Sequence, residues 1–478
     1  MHSNQKILST RRTYNKFAAN EMMEDFALRF TARRARLWSL SRIASTALGI
    51  VSFLVLEAIG GAVTLNYGFV NSAWAILAVI FVVFLTGLPI SYYAAKYGVD
   101  IDLLSRGGFG YIGSSIVSLI YASFTFIFFA LEAAIMSMAL QILFGLPLSI
   151  GYVISAVVVI PLVTHGIAYI SRFQVWTQPI WIVLQCLPLF FVFTHEDSQL
   201  QEWLSFTGKA GEEGGSFNLL LFGAASAVLL SLVAQIGEQV DFLRFLPEKP
   251  KKQKWRWWCA LVVAGPGWII FGALKLFLGS FLAYLALEQG ISADLADDPA
   301  HMYQLAYGYV FDNADLVVVF SCVFVVISQL KINVANAYAG SLAWSNFFSR
   351  VTHTHPGRVV WMVFNVAIAL LLMELGIYQT IESMLSVYSV IVLAWLSSVV
   401  ADLIINKPLG ISPKHIEFKR SHLYDINPVG VGSMFIASLV GFTAHFGRYG
   451  ETLQALASFL ACGLPFITVP LIGPVNKR

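Results

Sequence analysis

Apolar runs of about twenty residues alternate with short polar connections along almost the whole chain. The runs fall at roughly 44–68, 73–96, 114–143, 149–170, 174–194, 217–241, 258–286, 315–345, 358–375, 377–402, 429–447 and 453–474. A helix needs about 20 mainly apolar residues to cross the hydrocarbon core of a bilayer. The pattern therefore predicts twelve membrane-spanning helices and an all-α integral membrane protein. A basic tail over 1–42 precedes a twelve-helix domain over 43–478, with no room for a separate soluble domain.

Composition agrees with the pattern. Of 478 residues, 58% are hydrophobic and 12% charged, and the mean hydropathy is +0.73. A water-soluble protein has no means of hiding so much apolar surface. Four cysteines, Cys186, Cys259, Cys322 and Cys462, stand singly in apolar runs, which predicts small packing residues rather than disulfides. The N-terminus "MHSNQKILSTRRTYNKF" is polar and basic, so the first span, not a cleaved signal peptide, inserts the chain.

Loop charge predicts orientation. Residues 1–42 carry nine Lys or Arg, and "RFLPEKPKKQKWR" after the sixth span carries six. With twelve spans, the basic connections near 172, 355 and 414 share that side. On the other side "HEDSQLQEW" and "GKAGEEGG" hold five acids and one lysine, and "EQGISADLADD" has no base. The positive-inside rule then puts both termini in the cytoplasm of a cell (inner or plasma) membrane. Topology explains these bases without nucleic acid, and the tail can also touch anionic lipid.

Many transporters pair two inverted repeats, each with an interrupted helix beside the substrate. The first run contains "LEAIGGAV", with Gly60 and Gly61, and the sixth contains "AQIGEQVDF", with Gly237 among polar side chains. These runs correspond in a five-plus-five repeat, so breaks are expected at both glycine positions.

Five motifs then carry a resemblance. They are "RGGFGYIGS" (Arg106 to Ser114), "VDFLRF" (Val240 to Phe245), "INVANAYAGSLAWSN", "VVADLIINKPLG" and "DINPVG". In order and spacing they resemble the nucleobase:cation symporter-1 family of purine and cytosine permeases and hydantoin transporters. The resemblance implies the leucine-transporter fold: repeat one over about 44–194, repeat two over about 217–402, and two extra helices over about 429–474. It also implies alternating access driven by sodium or protons. Gly61 falls on a family glycine, and Phe128 on the family aromatic that stacks on a planar substrate. Glu132 replaces the family's substrate-contacting glutamine. Leu232 stands where the family has a second aromatic.

Ionisable residues within spans are costly and usually face the protein interior or a wet cavity. They are Glu57, Glu132, Glu238, Asp241, Lys275, Lys331, Glu374, Glu382 and Asp402. Asp241 and Asp402 lie near Arg244 and Lys407, so local pairing accounts for them. Lys275 calls for an acidic partner that the sequence leaves unidentified. Glu132 follows Phe128 by four residues, so the two share a helix face. Its carboxylate can accept bonds from a nucleobase edge, carry a proton, or hold a neighbouring helix. The expected substrate contacts are Phe53, Phe128, Glu132, Leu232, Gln235, Glu238, Asn333 and Asn336.

The eighth run reads "ISQLKINVANAYAG". Sodium-coupled members of the family carry a hydroxyl pair just before an asparagine here. With either Asn333 or Asn336 aligned, Lys331 replaces one hydroxyl and Leu330 or Ile332 the other. A hard cation needs oxygen ligands, so the resemblance implies that Lys331 stands in for sodium, with Glu57 as a second coupling residue. Three roles stay open for Lys331: a proton-exchanging tie between the eighth and first spans, a static bridge to Glu57 or Glu132, or a lysine snorkelling to the interface. No cofactor or metal is expected, a proton is a possible coupling ion, and sodium is disfavoured. The leading expectation is a secondary transporter of a nucleobase or related small heterocycle. The alternative is a membrane sensor on a transporter scaffold, which would need a separate signalling partner. An enzyme is disfavoured by the absence of any catalytic motif.

Overall fold

The computed structural model describes residues 20–195, 197–252, 254–417 and 420–473. The basic stretch before residue 20 lies outside them. Among the described residues the chain is helical throughout, without strands. Among the described residues eight helices are long and apolar enough to cross a membrane alone, and a bent pair makes a ninth. The other three expected spans are the interrupted fourth (Leu148–Val157 then Val159–Thr164), the short ninth (Arg358–Glu374) and the broken twelfth (from Glu451 to Ile472). Helix starts coincide with polar caps. Ser39, Asn218, Asn313 and Asn427 each accept backbone N–H bonds from the first turn of the first, sixth, eighth and eleventh spans.

The first span is two helices, Leu40–Gly49 extended by a 3₁₀ turn to Ser52, and Val55–Tyr67, bent by 46°. The bend is at Phe53, whose ψ of 136° is extended. It is not at the glycine pair, where the sequence places it. Gly60 lies inside the continuous second half because the seventh span passes too close for any side chain. A Cβ on Gly60 would sit 2.0 Å from the Leu276 carbonyl oxygen. Opposite it, a Cβ on Gly279 would sit 2.1 Å from the Glu57 carbonyl oxygen. Such backbone approach is what small residues permit in membrane helices.

The sixth span also deviates away from its glycine. Leu219–Leu229 passes through a 3₁₀ stretch, Leu230–Gln235, into Ile236–Leu243. Gly237 follows the stretch and packs on Tyr121, whose ring a Cβ would meet at 2.3 Å. The third span (Ser114–Phe144) and the unbroken eighth (Ala314–Val351) form the largest helix contact of the bundle. The eleventh and twelfth spans pack against the tenth (Ile381–Ala401). Outward faces carry exposed apolar side chains such as Trp74, Phe81 and Trp176, suited to lipid. Cys186 and Cys259 are also exposed, so only Cys322 is the buried packing residue expected of all four, with Cys462 half-buried.

The N-terminal segment is not a free tail from residue 20 onward. The Ile167 N–H donates to the Asp25 carboxylate (2.5 Å), Arg244 Nη2 donates to the Asp25 carbonyl (2.8 Å), and Arg358 Nε donates to the Met23 carbonyl (2.6 Å). The segment thereby joins the ends of the fifth, sixth and ninth spans.

Candidate functional site

The bend at Phe53 strips two carbonyls and two N–H groups of helical partners in the middle of the bundle. An unpaired backbone group buried away from water is expensive. Two charged side chains from other spans satisfy them. Lys275, on the seventh span (Trp268–Glu288), donates from Nζ to the Ser52 carbonyl at 2.8 Å and the Phe53 carbonyl at 2.7 Å. Glu132, on the third span, accepts at Oε2 from the Leu54 N–H (3.2 Å) and the Val55 N–H (3.4 Å). Each charge has the sign that the helix end in front of it favours: a cation at the C-terminus of the first half, an anion at the N-terminus of the second.

Glu57 completes the cluster. Its Oε2 lies 3.3 Å from Lys275 Nζ, and its Oε1 accepts from Tyr303 OH at 3.0 Å. Gln185 Nε2 donates in turn to the Tyr303 oxygen at 2.5 Å. The acid missing for Lys275 in the sequence is thus Glu57, and all members of the pair are buried. Among the described residues Glu132 Oε1 is buried without a hydrogen bond of good geometry, and the Gln329 amide, whose own atoms are otherwise unpartnered, is close enough to bond to the carboxyl. Phe128, one turn before Glu132, is buried against Phe124 with ring centroids 4.5 Å apart. Phe53 lies 6.2 Å from the Trp268 ring. A cavity of about 630 Å³ between the first, fifth and seventh spans reaches Lys275, Gln185 and Trp181.

Lys331 lies elsewhere. Its Nζ contacts the Gln174 carbonyl (3.2 Å) and Thr177 Oγ1 (3.1 Å) on the fifth span (Ile167–His195). Gln174 Nε2 donates back to the Lys331 carbonyl at 2.5 Å. The tie runs from the eighth span to the fifth, not to the first, and neither Glu57 nor Glu132 is its partner. The expected side chains therefore divide. Phe53, Glu57, Phe128 and Glu132 surround the bend. Gln235 Nε2 donates to Glu238 Oε2 at 2.8 Å on the sixth span, near Asp241 of the same span and Tyr121 of the third. Asn336 Nδ2 donates to Asn333 Oδ1 at 3.3 Å, and Leu232 is fully buried in the 3₁₀ stretch. Asp402 pairs with Lys407 at 3.6 Å as expected, whereas the nearest acid to Arg244 is Asp100, also at 3.6 Å.

Sequence reasoning missed three members. Tyr303 sits on a helix, Pro299–Gly308, in what reads as an outer loop. Gln185 and Gln329 are uncharged and drew no notice, although Gln329 lies two residues before Lys331. A glutamine in an apolar run is the signal that was available.

Comparison with known proteins places this geometry. Residues 31–465 match the profile of a family described as permease for cytosine/purines, uracil, thiamine, allantoin. No individually curated protein matches the chain significantly. Among solved structures, the chain is similar to Mhp1, a nucleobase-cation-symport-1 family transporter, in a closed conformation with bromovinylhydantoin bound. Identity is 16%, coverage 95% of this chain and 96% of that one, and the TM-score 0.70. The inward-facing conformation of Mhp1 gives a TM-score of 0.65 at 17% identity, covering 91% of each chain. A Na⁺-coupled sialic acid symporter gives 0.61 at 12% identity, covering 96% and 93%. These likenesses establish the leucine-transporter fold, with its two five-helix inverted repeats and two added helices. The match across the chain and the shared fold show that this multi-pass membrane protein is a transporter rather than an enzyme, and that it belongs to the nucleobase-cation symporter family of cytosine and purine permeases.

Proposed function

We propose that the protein is a secondary permease for a nucleobase or a related small planar heterocycle, working by alternating access at the bend of the first span. Repeats over about 44–194 and 217–402 would rock around that bend, with the helices over 429–474 outside them. Both termini would lie in the cytoplasm of an inner or plasma membrane, as the loop charges require. The observation that carries the reading is Glu132. One oxygen caps the second half of the first span at the bend, while the other makes no hydrogen bond of good geometry among the described residues, with the Gln329 amide close by and Phe128 one turn away. A planar ligand with an N–H edge can stack on the aromatic and donate to that oxygen. Phe53 and Gln329 would add further contacts. Leu232, Gln235, Glu238, Asn333 and Asn336 would contribute contacts from the sixth and eighth spans. Mhp1 with its bound hydantoin supports a ligand of this class. Transporters among the similar folds and in the family favour transport over a sensor with a separate signalling partner.

Coupling would not use sodium, because Leu330, Lys331 and Ile332 offer no side-chain hydroxyl at the family's ion position. A proton is the coupling ion that remains. Uptake of radiolabelled purines and pyrimidines into cells expressing the protein tests the function. Uptake of at least one base, undiminished when choline replaces sodium, is the expected result. Absence of uptake and exchange for every base tried would refute the substrate class, and a steep sodium requirement would refute the coupling.

A further inference from the structure

Breaking a membrane helix creates a cation-seeking end and an anion-seeking end a few ångströms apart. In this protein both are occupied by side chains. Lys275 Nζ has three oxygens around it: the Ser52 and Phe53 carbonyls at 2.8 and 2.7 Å and Glu57 Oε2 at 3.3 Å. Two carbonyls and a carboxylate are the ligand types that a hard cation selects. The other groups facing the ammonium are the Trp181 ring on the fifth span, its centroid 5.6 Å away, and Glu132 on the third. Tyr303 fixes Glu57 from behind.

We propose that Lys275 is the resident cation of the first-span break: a tethered ammonium in a site that a free alkali-metal ion would otherwise fill. The inference rests on the reading of the bend as the transport site, and it assigns the ionic requirement to the seventh span rather than to Lys331. The ammonium cannot leave, so the two halves of the first span stay bridged to the seventh without any ion from solution. Removing it bares two carbonyls beside the Glu57 carboxylate. That buried, uncompensated negative charge is strongly unfavourable and attracts a replacement ion.

The test is a gain of function. Purified protein is melted in choline, potassium and sodium chloride at equal ionic strength. A ligand that binds only the folded state raises the melting temperature. Wild type is expected to melt at one temperature in all three salts. Lys275→Ala is expected to melt lower in choline and to recover several degrees in sodium. Lys275→Arg, which keeps a cation, and Lys331→Ala, which leaves the site filled, are expected to show no sodium response. Lys275→Ala/Glu57→Gln keeps the carbonyls but removes the attracting charge, so its sodium response should shrink. A sodium-dependent rise in wild type overturns the proposal. So does a folded Lys275→Ala indifferent to salt, or a sodium response that appears in Lys331→Ala instead. If Lys275→Ala yields no folded protein in any salt, no free ion can refill the site and the proposal also falls. These melts need no substrate, so their failure counts against Lys275 alone. Failure of nucleobase uptake by wild type counts against the proposed function.

Discussion

At the scale of single residues, Glu132 divides its work between two oxygens. Oε2 caps the second half of the first span, and Oε1 is the oxygen that the proposed function gives to a ligand. In Glu132→Gln the amide oxygen can still accept from Leu54 and Val55, so the cap survives in weakened form. The charge available to a substrate N–H is gone. Losing a charge-assisted bond costs about 1–3 kcal/mol, so substrate affinity should fall roughly five- to 150-fold while the amount of inserted protein changes little. Equilibrium binding to the purified variant measures this. Unchanged affinity would confine Glu132 to capping the helix. Lys331 illustrates how a lone cation in an apolar run can be structural: its ammonium and carbonyl both bond to the fifth span, so it fastens two helices together.

At the scale of elements, the first and seventh spans meet backbone to backbone. Gly60→Ala would force a methyl group to 2.0 Å from the Leu276 carbonyl. Backbone has no rotamer to escape into, so the helices must part, and overpacking of this kind costs about 1–3 kcal/mol or more. The displacement would also carry Lys275, one residue away, off the Ser52 and Phe53 carbonyls. A lower melting temperature and reduced transport are expected together. A variant as stable as wild type would mean that the two helices have slack between them.

The short helix Ile101–Phe109 between the second and third spans gives a pH effect. Asp100 caps it through the Leu103 N–H at 2.8 Å. Burial first, and the Asp100 charge second, hold the Asp102 carboxyl up at about 7, from a reference of 3.8, with Arg350 and Arg106 opposing. A raised folded-state value means that stability is fully present below the unfolded value and is lost as pH rises through the folded one. The window is therefore from 3.8 to about 7. Asp102→Asn is neutral throughout and keeps an oxygen for the Ser118 hydroxyl, which donates to Asp102 Oδ1. Its melting temperature relative to wild type should rise between about pH 5 and about pH 8. A difference independent of pH would show that Asp102 is ionised across the range.

At the scale of the molecule, the N-terminal segment ties together spans distant in the chain. Besides its bonds to the fifth, sixth and ninth spans, the Thr31 N–H donates to the Gly98 carbonyl (2.7 Å) and Arg36 Nε to the Leu246 carbonyl (3.0 Å). Glu24 pairs with His355 at 2.7 Å and accepts the Arg358 N–H at 2.8 Å. These bonds hold the segment across that face of the bundle as a strap. Deleting the chain through Arg36 should leave the spans folded but release the amides of Ile167 and Arg358, which exchange hydrogen faster once their acceptors are gone. Hydrogen exchange read by mass spectrometry would show it. Unaltered exchange at those amides would mean that helix packing alone closes the face.

The sequence by itself determined the class of the protein, the order of its spans, the break in the first of them, and that Glu132 and Phe128 share a helix face. Hydropathy and helical spacing are local properties, and the family motifs are short, so all of this is written in neighbouring residues. Only the tertiary structure decided where the breaks fall and which charges fill them. Gly60 and Gly237 are glycines because another chain segment passes within van der Waals contact, and the sequence carries the same letter for a packing glycine as for a hinge. Lys275 and Lys331 are both lone cations in apolar runs. Their difference lies in what faces them: the carbonyls of Ser52 and Phe53 for one, and the Gln174 carbonyl and Thr177 hydroxyl of the fifth span for the other. A buried charge is defined by its partners, and those partners come from helices that meet only when the bundle closes.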